Sequence, residues 1–463
     1  MFRVYSGLYL RYAMKSRGLV RNIVSNIFVH PTTISCLGNR MRVASEETGS
    51  PVTTIGLFFE AGPRYEQPET NGFSLYFEHM AYKSFKNISK SDFEDNMTLT
   101  GVNLRASTGR DHSSLRATCE NHDADNIINI FADVIFEFEM QYNEMYQEKC
   151  QILQDLNDKD EDCKRLVFDY LHQTAYQGTR LAQSVEGPSG NVKLLNNDSI
   201  LQFMCERLQP WRMTLVSAGG LSHREFLEIV KQSRFGFFCG NPHVRPLPEQ
   251  CRFTGSQATF RNDALPFAHV AVALQAPGFA SLDYIPMLVA SSIVGCWDRS
   301  QGGGRNNAST LAQAMSETGD CESFESFYIP YKDTGLWGIY FVSDGKCLDD
   351  VLYNVQAQWM KLCACVTQSD LERGVNATKT MLARKFSDQQ LSCRDLGLQV
   401  LYTSWRKTIG EYFNVLSDMK PEDIREASNE YIYDKCPAVA AVGPIESLPE
   451  YTRIRSRMYW LRL

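Results

Sequence analysis

At 463 residues the chain exceeds one ordinary hydrophobic core and is expected to divide into about two to four units, and its 43% hydrophobic and 22% charged residues mark a soluble globular protein. No uninterrupted apolar run approaches the roughly 18 residues that a membrane-spanning helix needs, so membrane contact is expected only through partners. The formal charge of -7 argues against a nucleic-acid-binding surface.

That charge is unevenly placed. The first acidic residue is Glu46, whereas Arg3, Arg11, Lys15, Arg17 and Arg21 stand among Phe2, Tyr5, Leu8, Leu10, Tyr12 and Met14. An acid-free, arginine-bearing, apolar start has the composition of a mitochondrial presequence; a basic first helix packed in the fold is the alternative. Residues 1–35 are therefore set apart as presequence and leader, which leaves 42 basic against 54 acidic residues, a charge of about -12.

A β-rich run follows from Val52 to Phe59 and is closed by Gly62 and Pro63. Phe73, Tyr76, Phe77 and Met80 then recur at i, i+3, i+4, i+7, the spacing of a core-facing helix that Thr70 or Asn71 would cap. The same helix carries Leu75-Tyr76-Phe77-Glu78-His79, one residue from the H-x-x-E-H zinc-peptidase signature. In that signature two imidazoles at i and i+4 reach one Zn²⁺ and the glutamate activates its water. Leu75 stands where the first imidazole should be, and leucine has no lone pair.

Leu104 to Thr108 and Ser113 to Thr118 read as strands turned at Thr108-Gly109-Arg110-Asp111. Ile127, Ile128, Phe131, Val134 and Ile135 have helical spacing, and helix is expected again from Gln141 to Lys159. The Pro- and Gly-rich segment Gly240 to Pro248 suits neither helix nor central strand, and 237–261 is read as a linker between an N-terminal domain at 36–236 and a C-terminal domain at 262–463. Short echoes support duplication: Glu60-Ala61-Gly62 and Gln275-Ala276-Pro277-Gly278 each follow a strand about 215 residues apart, and Leu215 to Gly220 is matched by Ala438 to Pro444. Strands and helices alternate without a regular crossover, so each half is α+β. The 14 cysteines lack any C-x-x-C and are expected as buried free thiols in a reducing compartment. Gly302-Gly303-Gly304-Arg305 lacks the G-K-[ST] of a nucleotide loop, and Asn307-Ala308-Ser309 fits the glycosylation rule without meeting that machinery in a mitochondrial matrix.

The run Val52 to Glu66 with Glu78-His79-Met80-Ala81-Tyr82-Lys83 resembles the family of the mitochondrial processing peptidase beta subunit and core protein I of the cytochrome bc complex, respiratory complex III. Val167 to His172, Leu181 to Ser189, Cys251 to Gln257, Asp333 to Gly338 and Met458 to Arg462 resemble its landmarks in the same order, so the likeness covers roughly residues 37 to 463. It implies two similar α/β-sandwich domains, each a largely antiparallel sheet with packed helices, folded around a cleft. It also implies a third zinc ligand on the helix some seventy-five residues on, where Asp155 matches the ligand position and Glu148 the supporting carboxylate. Leu75, Glu78, His79, Glu148 and Asp155 thus form a vestigial site with no catalytic, metal-binding or cofactor-binding residue expected to function. Glu78, with no metal-bound water to activate, is expected to pair with Arg105 or Arg116. Gly101 to Thr108 matches the family's edge strand for an extended peptide, with Arg105 and Ser107 where the family carries asparagine and an aromatic; Lys83-Ser84-Phe85 departs from its Lys-Gly-Thr. The resemblance implies a non-catalytic core subunit of complex III on the matrix side of the mitochondrial inner membrane, paired with an alpha-type second core subunit, contacting other complex III subunits and retaining presequence peptides at most as ligands. No nucleic acid and no cofactor are expected. The alternatives are the active, zinc-dependent beta subunit of the peptidase and a tissue-restricted paralogue. Leu181 to Ser189 and Cys251 to Gln257 look closer to core protein I, Asp333 to Gly338 closer to the peptidase.

Overall fold

A computed structural model describes residues 31–83, 90–137, 142–240, 250–301 and 304–460. Among these residues twelve strands form two six-stranded sheets with the orders β1-β2-β6-β3-β5-β4 and β7-β12-β8-β11-β10-β9. The first contains β1 (Thr32–Cys36), β2 (Arg42–Glu47), β3 (Val52–Phe59), β4 (Asn103–Thr108), β5 (Ser113–Glu120) and β6 (Met213–Gly219). The second contains β7 (Gln257–Arg261), β8 (Ala268–Pro277), β9 (Cys296–Asp298), β10 (Cys321–Pro330), β11 (Thr334–Ser343) and β12 (Ala438–Gly443).

The halves are duplicates. In each, one parallel pair (β2 with β6, β7 with β12) is followed by three antiparallel steps, β6-β3-β5-β4 and β12-β8-β11-β10. Only β1 and β9, at opposite edges, lack a counterpart. The helices repeat in parallel: α1 (Phe73–Met80), α2 (Ala124–Phe136), α3 (Tyr142–Glu161) and α4 (Cys163–Ala175) correspond in order to α5 (Tyr284–Val294), α6 (Leu348–Ala364), α7 (Gln368–Ser387) and α8 (Gln389–Thr403).

Strand alternation divides each sheet between two cores. Ile55, Leu57, Phe59, Leu115 and Ala117 face α1 and α2, and Val270, Val272, Leu274, Trp337 and Ile339 face α5 and α6. The inner faces carry small residues and are covered by a helix from the opposite half. Val167, Leu171 and Ala175 of α4 pack on Ala271, Ala273 and Ala440, while Cys393, Leu396 and Val400 of α8 pack on Ala44, Phe58, Val216 and Ala218. At Gly397 a Cβ would run into the Phe58 ring, so only glycine allows α8 to sit so close to β3.

Two boundaries shift. Thr32–Cys36 pairs with β2, so the first sheet begins inside the stretch read as leader, and Gln257–Arg261 joins the second sheet, which narrows the linker from its C-terminal side. Residues 1–30, 241–249 and Gly302-Gly303 lie outside the described residues. All 14 cysteines are free, but seven are exposed, among them Cys150 and Cys205 on solvated helix faces. No helix among the described residues is long and apolar enough to cross a membrane.

Candidate functional site

Helix α1 starts in a way the sequence did not foretell. Gly72 sits at φ 107°, a left-handed conformation in which a Cβ would lie 2.9 Å from the Glu186 carbonyl oxygen. Neither Thr70 nor Asn71 caps the helix by side chain. Instead the buried Glu66 carboxylate accepts from the Gly72 N–H (2.9 Å), the Ser74 N–H (2.7 Å) and Asn71 Nδ2 (3.1 Å). A full negative charge at this helix terminus satisfies more orphan N–H groups than the amide of Asn71 could. Burial raises the Glu66 pKa from its ordinary value, with those hydrogen bonds opposing the shift.

The expected core face is the observed one. Phe73, Tyr76, Phe77 and Met80 are buried, with Phe77 edge-on to Phe59 at 6.0 Å and Phe73 edge-on to Phe203 at 5.8 Å. The Tyr76 hydroxyl donates to the Met145 carbonyl at 3.3 Å and pins α1 to α3. Leu75, Glu78 and His79 fall on the less buried face.

Glu148 and Asp155, two turns apart on α3, flank the His79 ring. His79 Nδ1 lies 3.7 Å from Glu148 and Nε2 lies 3.9 Å from Asp155. A residue the sequence reading left without a role completes the group: Lys83 Nζ donates to Glu148 Oε1 at 2.7 Å. Lys83 lies in the turn that follows α1, and the sequence carried no signal for this pairing. Asp155 also accepts from Gln151 Nε2 at 2.9 Å. The structure thus gathers His79, Glu148 and Asp155, with Leu75 one turn before His79 on α1.

This donor set does not fit a zinc centre with three protein ligands and an open position. Leu75 offers no donor atom, the ammonium of Lys83 occupies one oxygen of Glu148, and no group of three or more His, Cys, Asp or Glu side chains among the described residues is arranged to hold a metal ion. The expected pairing of Glu78 is corrected: it forms no ion pair among the described residues, with Arg105, Arg116 or any other. Alternation explains why. Leu104 and Ala106 of β4 pack on the core under α1, which sends Arg105 to the opposite face of the sheet, where Arg116 donates to Ser107 Oγ at 3.3 Å.

Residues 42–189 match the family model "Insulinase (Peptidase family M16)", and residues 195–378 match "Peptidase M16 inactive domain". The chain is 38% identical over 436 residues to the mitochondrial cytochrome b-c1 complex subunit 1 of Bos taurus, covering 94% of this chain and 91% of that relative. It is 39% identical over 450 residues to the mitochondrial-processing peptidase subunit beta of Bos taurus, covering 97% and 91%. Among solved structures, a chain of complex III2 from Candida albicans superposes with a TM-score of 0.82 at 24% identity, covering 92% of this chain and all of that one. A protease from Helicobacter pylori does so with a TM-score of 0.80 at 17% identity over 89% of this chain, and both likenesses concern the fold. Matched in both halves by the family models and over nearly its whole length by two kinds of relative, the chain belongs to the M16 peptidase family.

Proposed function

We propose that this protein is a non-catalytic core subunit of mitochondrial respiratory complex III, a scaffold on the matrix side of the inner membrane that pairs with an alpha-type second core subunit. Through that pair it contacts other complex III subunits, and it has no cofactor of its own. One observation carries the reading: at the position of the first zinc ligand stands Leu75, while Lys83 holds Glu148 at 2.7 Å. The 38% identity to a cytochrome b-c1 complex subunit supports the partner class and the mitochondrial location. The absence of a membrane-crossing helix among the described residues fits a subunit that reaches the membrane through others.

The rival is a processing-peptidase beta subunit, favoured by the similar identity to that relative, 39%, and by the retained Glu78-His79 pair. Two measurements separate them. Native electrophoresis of mildly solubilised mitochondria should show the protein comigrating with complex III; its recovery only as a free soluble heterodimer would favour the peptidase. Metal analysis of protein purified without chelator should find no stoichiometric zinc. A molar equivalent that disappears in His79→Ala would sink the scaffold reading.

A further inference from the structure

Cys436 differs from the other exposed thiols in its surroundings. It lines an open cavity of about 470 Å³, a size that small ligands fill, together with residues 252–255, Gln275 of β8, and Glu430 and Tyr431 at the end of the helix Pro421–Tyr431. Its sulfur accepts from Arg455 Nε at 3.2 Å, and among the described residues no other exposed thiol accepts from a guanidinium. The loop that carries it into β12 is pinned. Arg455 Nη2 also donates to the Asp434 carbonyl (2.9 Å) and carboxylate (2.7 Å), and the Tyr451 hydroxyl donates to the Pro437 carbonyl at 3.0 Å. Across from it, a Cβ added at Gly255 would lie 2.4 Å from the Cys436 Cβ, so the opposite wall comes close only because it is glycine.

The charges of the cavity form a pattern. Arg252 and Lys435 bring two cations and Glu430 one carboxylate; all three are exposed, and none forms an ion pair among the described residues. Asp434, the neighbouring acid, is held by Arg455. A ligand complementary to this wall carries two carboxylates, one ammonium and a sulfur that can reach Sγ. Glutathione, a γ-glutamyl tripeptide thiol, has this set of groups.

Thiol–disulfide exchange is the chemistry such a pair can perform. The Cys436 thiolate, with Arg455 as its charged donor, attacks one sulfur of glutathione disulfide. The bond from Sγ to that sulfur forms as the disulfide's own S–S bond breaks, and the second glutathione leaves as a thiolate that takes up the proton Cys436 gave up. No other oxidant is consumed, and reduced glutathione reverses the step.

We propose that this cavity binds glutathione disulfide and that Cys436 forms a mixed disulfide there. The site lies in the second half and shares no residue with the one built on His79, so it stands or falls independently of the scaffold reading.

The test exposes the reduced full chain to three reagents: glutathione disulfide, dithiodipropionate, which has carboxylates but no ammonium, and the uncharged hydroxyethyl disulfide. Quenching, digestion and mass spectrometry give the rate at each cysteine. Selectivity for Cys436 over Cys150 and Cys205 should be at least about tenfold greater with glutathione disulfide than with the uncharged reagent, with dithiodipropionate between them. The double variant Arg252→Gln with Lys435→Gln should lower the glutathione selectivity to that of the uncharged reagent and leave the latter unchanged. Both residues are exposed, and circular dichroism checks the fold. Glu430→Gln should bring glutathione disulfide down to the level of dithiodipropionate. Equal selectivity with all three reagents, a glutathione selectivity that survives the double variant, or modification of Cys150 or Cys205 ahead of Cys436 overturns the proposal. Dithiodipropionate that matches glutathione disulfide on the unaltered chain overturns the assignment of the ligand as the tripeptide.

Discussion

At position 75 a leucine offers no donor atom, and at position 83 a lysine holds the Glu148 carboxylate. The two changes reinforce each other, because Lys83 holds Glu148 at 2.7 Å while Asp155, one methylene shorter than a glutamate, stands 3.9 Å from His79. Restoring the first imidazole alone therefore leaves a site whose remaining ligands miss their places, and catalytic geometry tolerates only about half an ångström of error. Leu75→His is expected to gain weak zinc binding and no substantial presequence cleavage. Adding Asp155→Glu, then Lys83→Ala, should raise zinc affinity stepwise, as read by competition with a chelating dye. Substantial cleavage by the single variant, assayed with an alpha-type partner, would show an otherwise intact pocket. That Leu75 offers no donor where the motif has an imidazole was legible in the sequence, since a motif of fixed spacing exposes its own gap. The role of Lys83 was not, because nothing in the motif says which carboxylate a neighbouring ammonium will choose.

Helices α1 and α4 show where local sequence suffices and where it does not. The buried face of α1 follows from 3.6-residue periodicity, which a single segment carries, and the strands read at 104–108 and 113–118 are observed at Asn103–Thr108 and Ser113–Glu120. Its cap comes from Glu66, which lies before a separate turn and reaches the helix only once Gly72 has taken its left-handed conformation. Gly72→Ala should accordingly destabilise the protein by about 1–3 kcal/mol in urea titrations, while a surface Ala substitution should not. On α4, His172 is buried between two partners: Nδ1 donates to the Phe168 carbonyl at 2.6 Å, so Nε2 is the acceptor for the Tyr331 hydroxyl at 2.6 Å. Burial first, then the charge of Arg110, lowers its pKa to about 3. An unfolded histidine titrates near 6.5, so the stability from neutral His172 is complete above about pH 6.5 and is lost as pH falls toward 3. Because Tyr331 belongs to the second half, acid should loosen the contact between the halves. The urea midpoint should drop from pH 7 to pH 4.5, and His172→Gln, which does not titrate, should flatten that drop. An unchanged pH profile in the variant would refute the assignment.

The architecture of the whole molecule rests on an exchange: each half lays a helix on the inner face of the other's sheet, α4 on β8 and β12, α8 on β3 and β6. The duplication was legible as short echoes, but the exchange was not, because Ala271, Ala273, Ala440 and Gly397 carry no mark of which partner they admit. Polar contacts reinforce it. Arg64 pairs with Asp333 at 2.7 Å, Lys332 with Glu60 at 2.5 Å, and the buried Arg406 joins Glu46 at 2.8 Å to Asp395 at 3.0 Å. Removing Arg406 would leave the buried Glu46 without its cation and Asp395 with Lys385 alone, so Arg406→Ala is expected to cost about 3–5 kcal/mol. With each inner face shared, neither sheet can expose its core while the other stays folded, and the two halves should unfold as one unit. Buried thiols on the two sheets make this measurable: Cys119 on β5 and Cys321 on β10, followed by mass-resolved alkylation across a urea series, should lose protection at the same concentration. Leu171→Ala on α4 and Leu396→Ala on α8 should each cost about 2–5 kcal/mol and move both thiols together, although each leucine sits against only one sheet. If Leu396→Ala exposed Cys119 while Cys321 stayed protected, the halves would be separable units, and the exchanged helices would be a contact between them rather than the bond that makes them one.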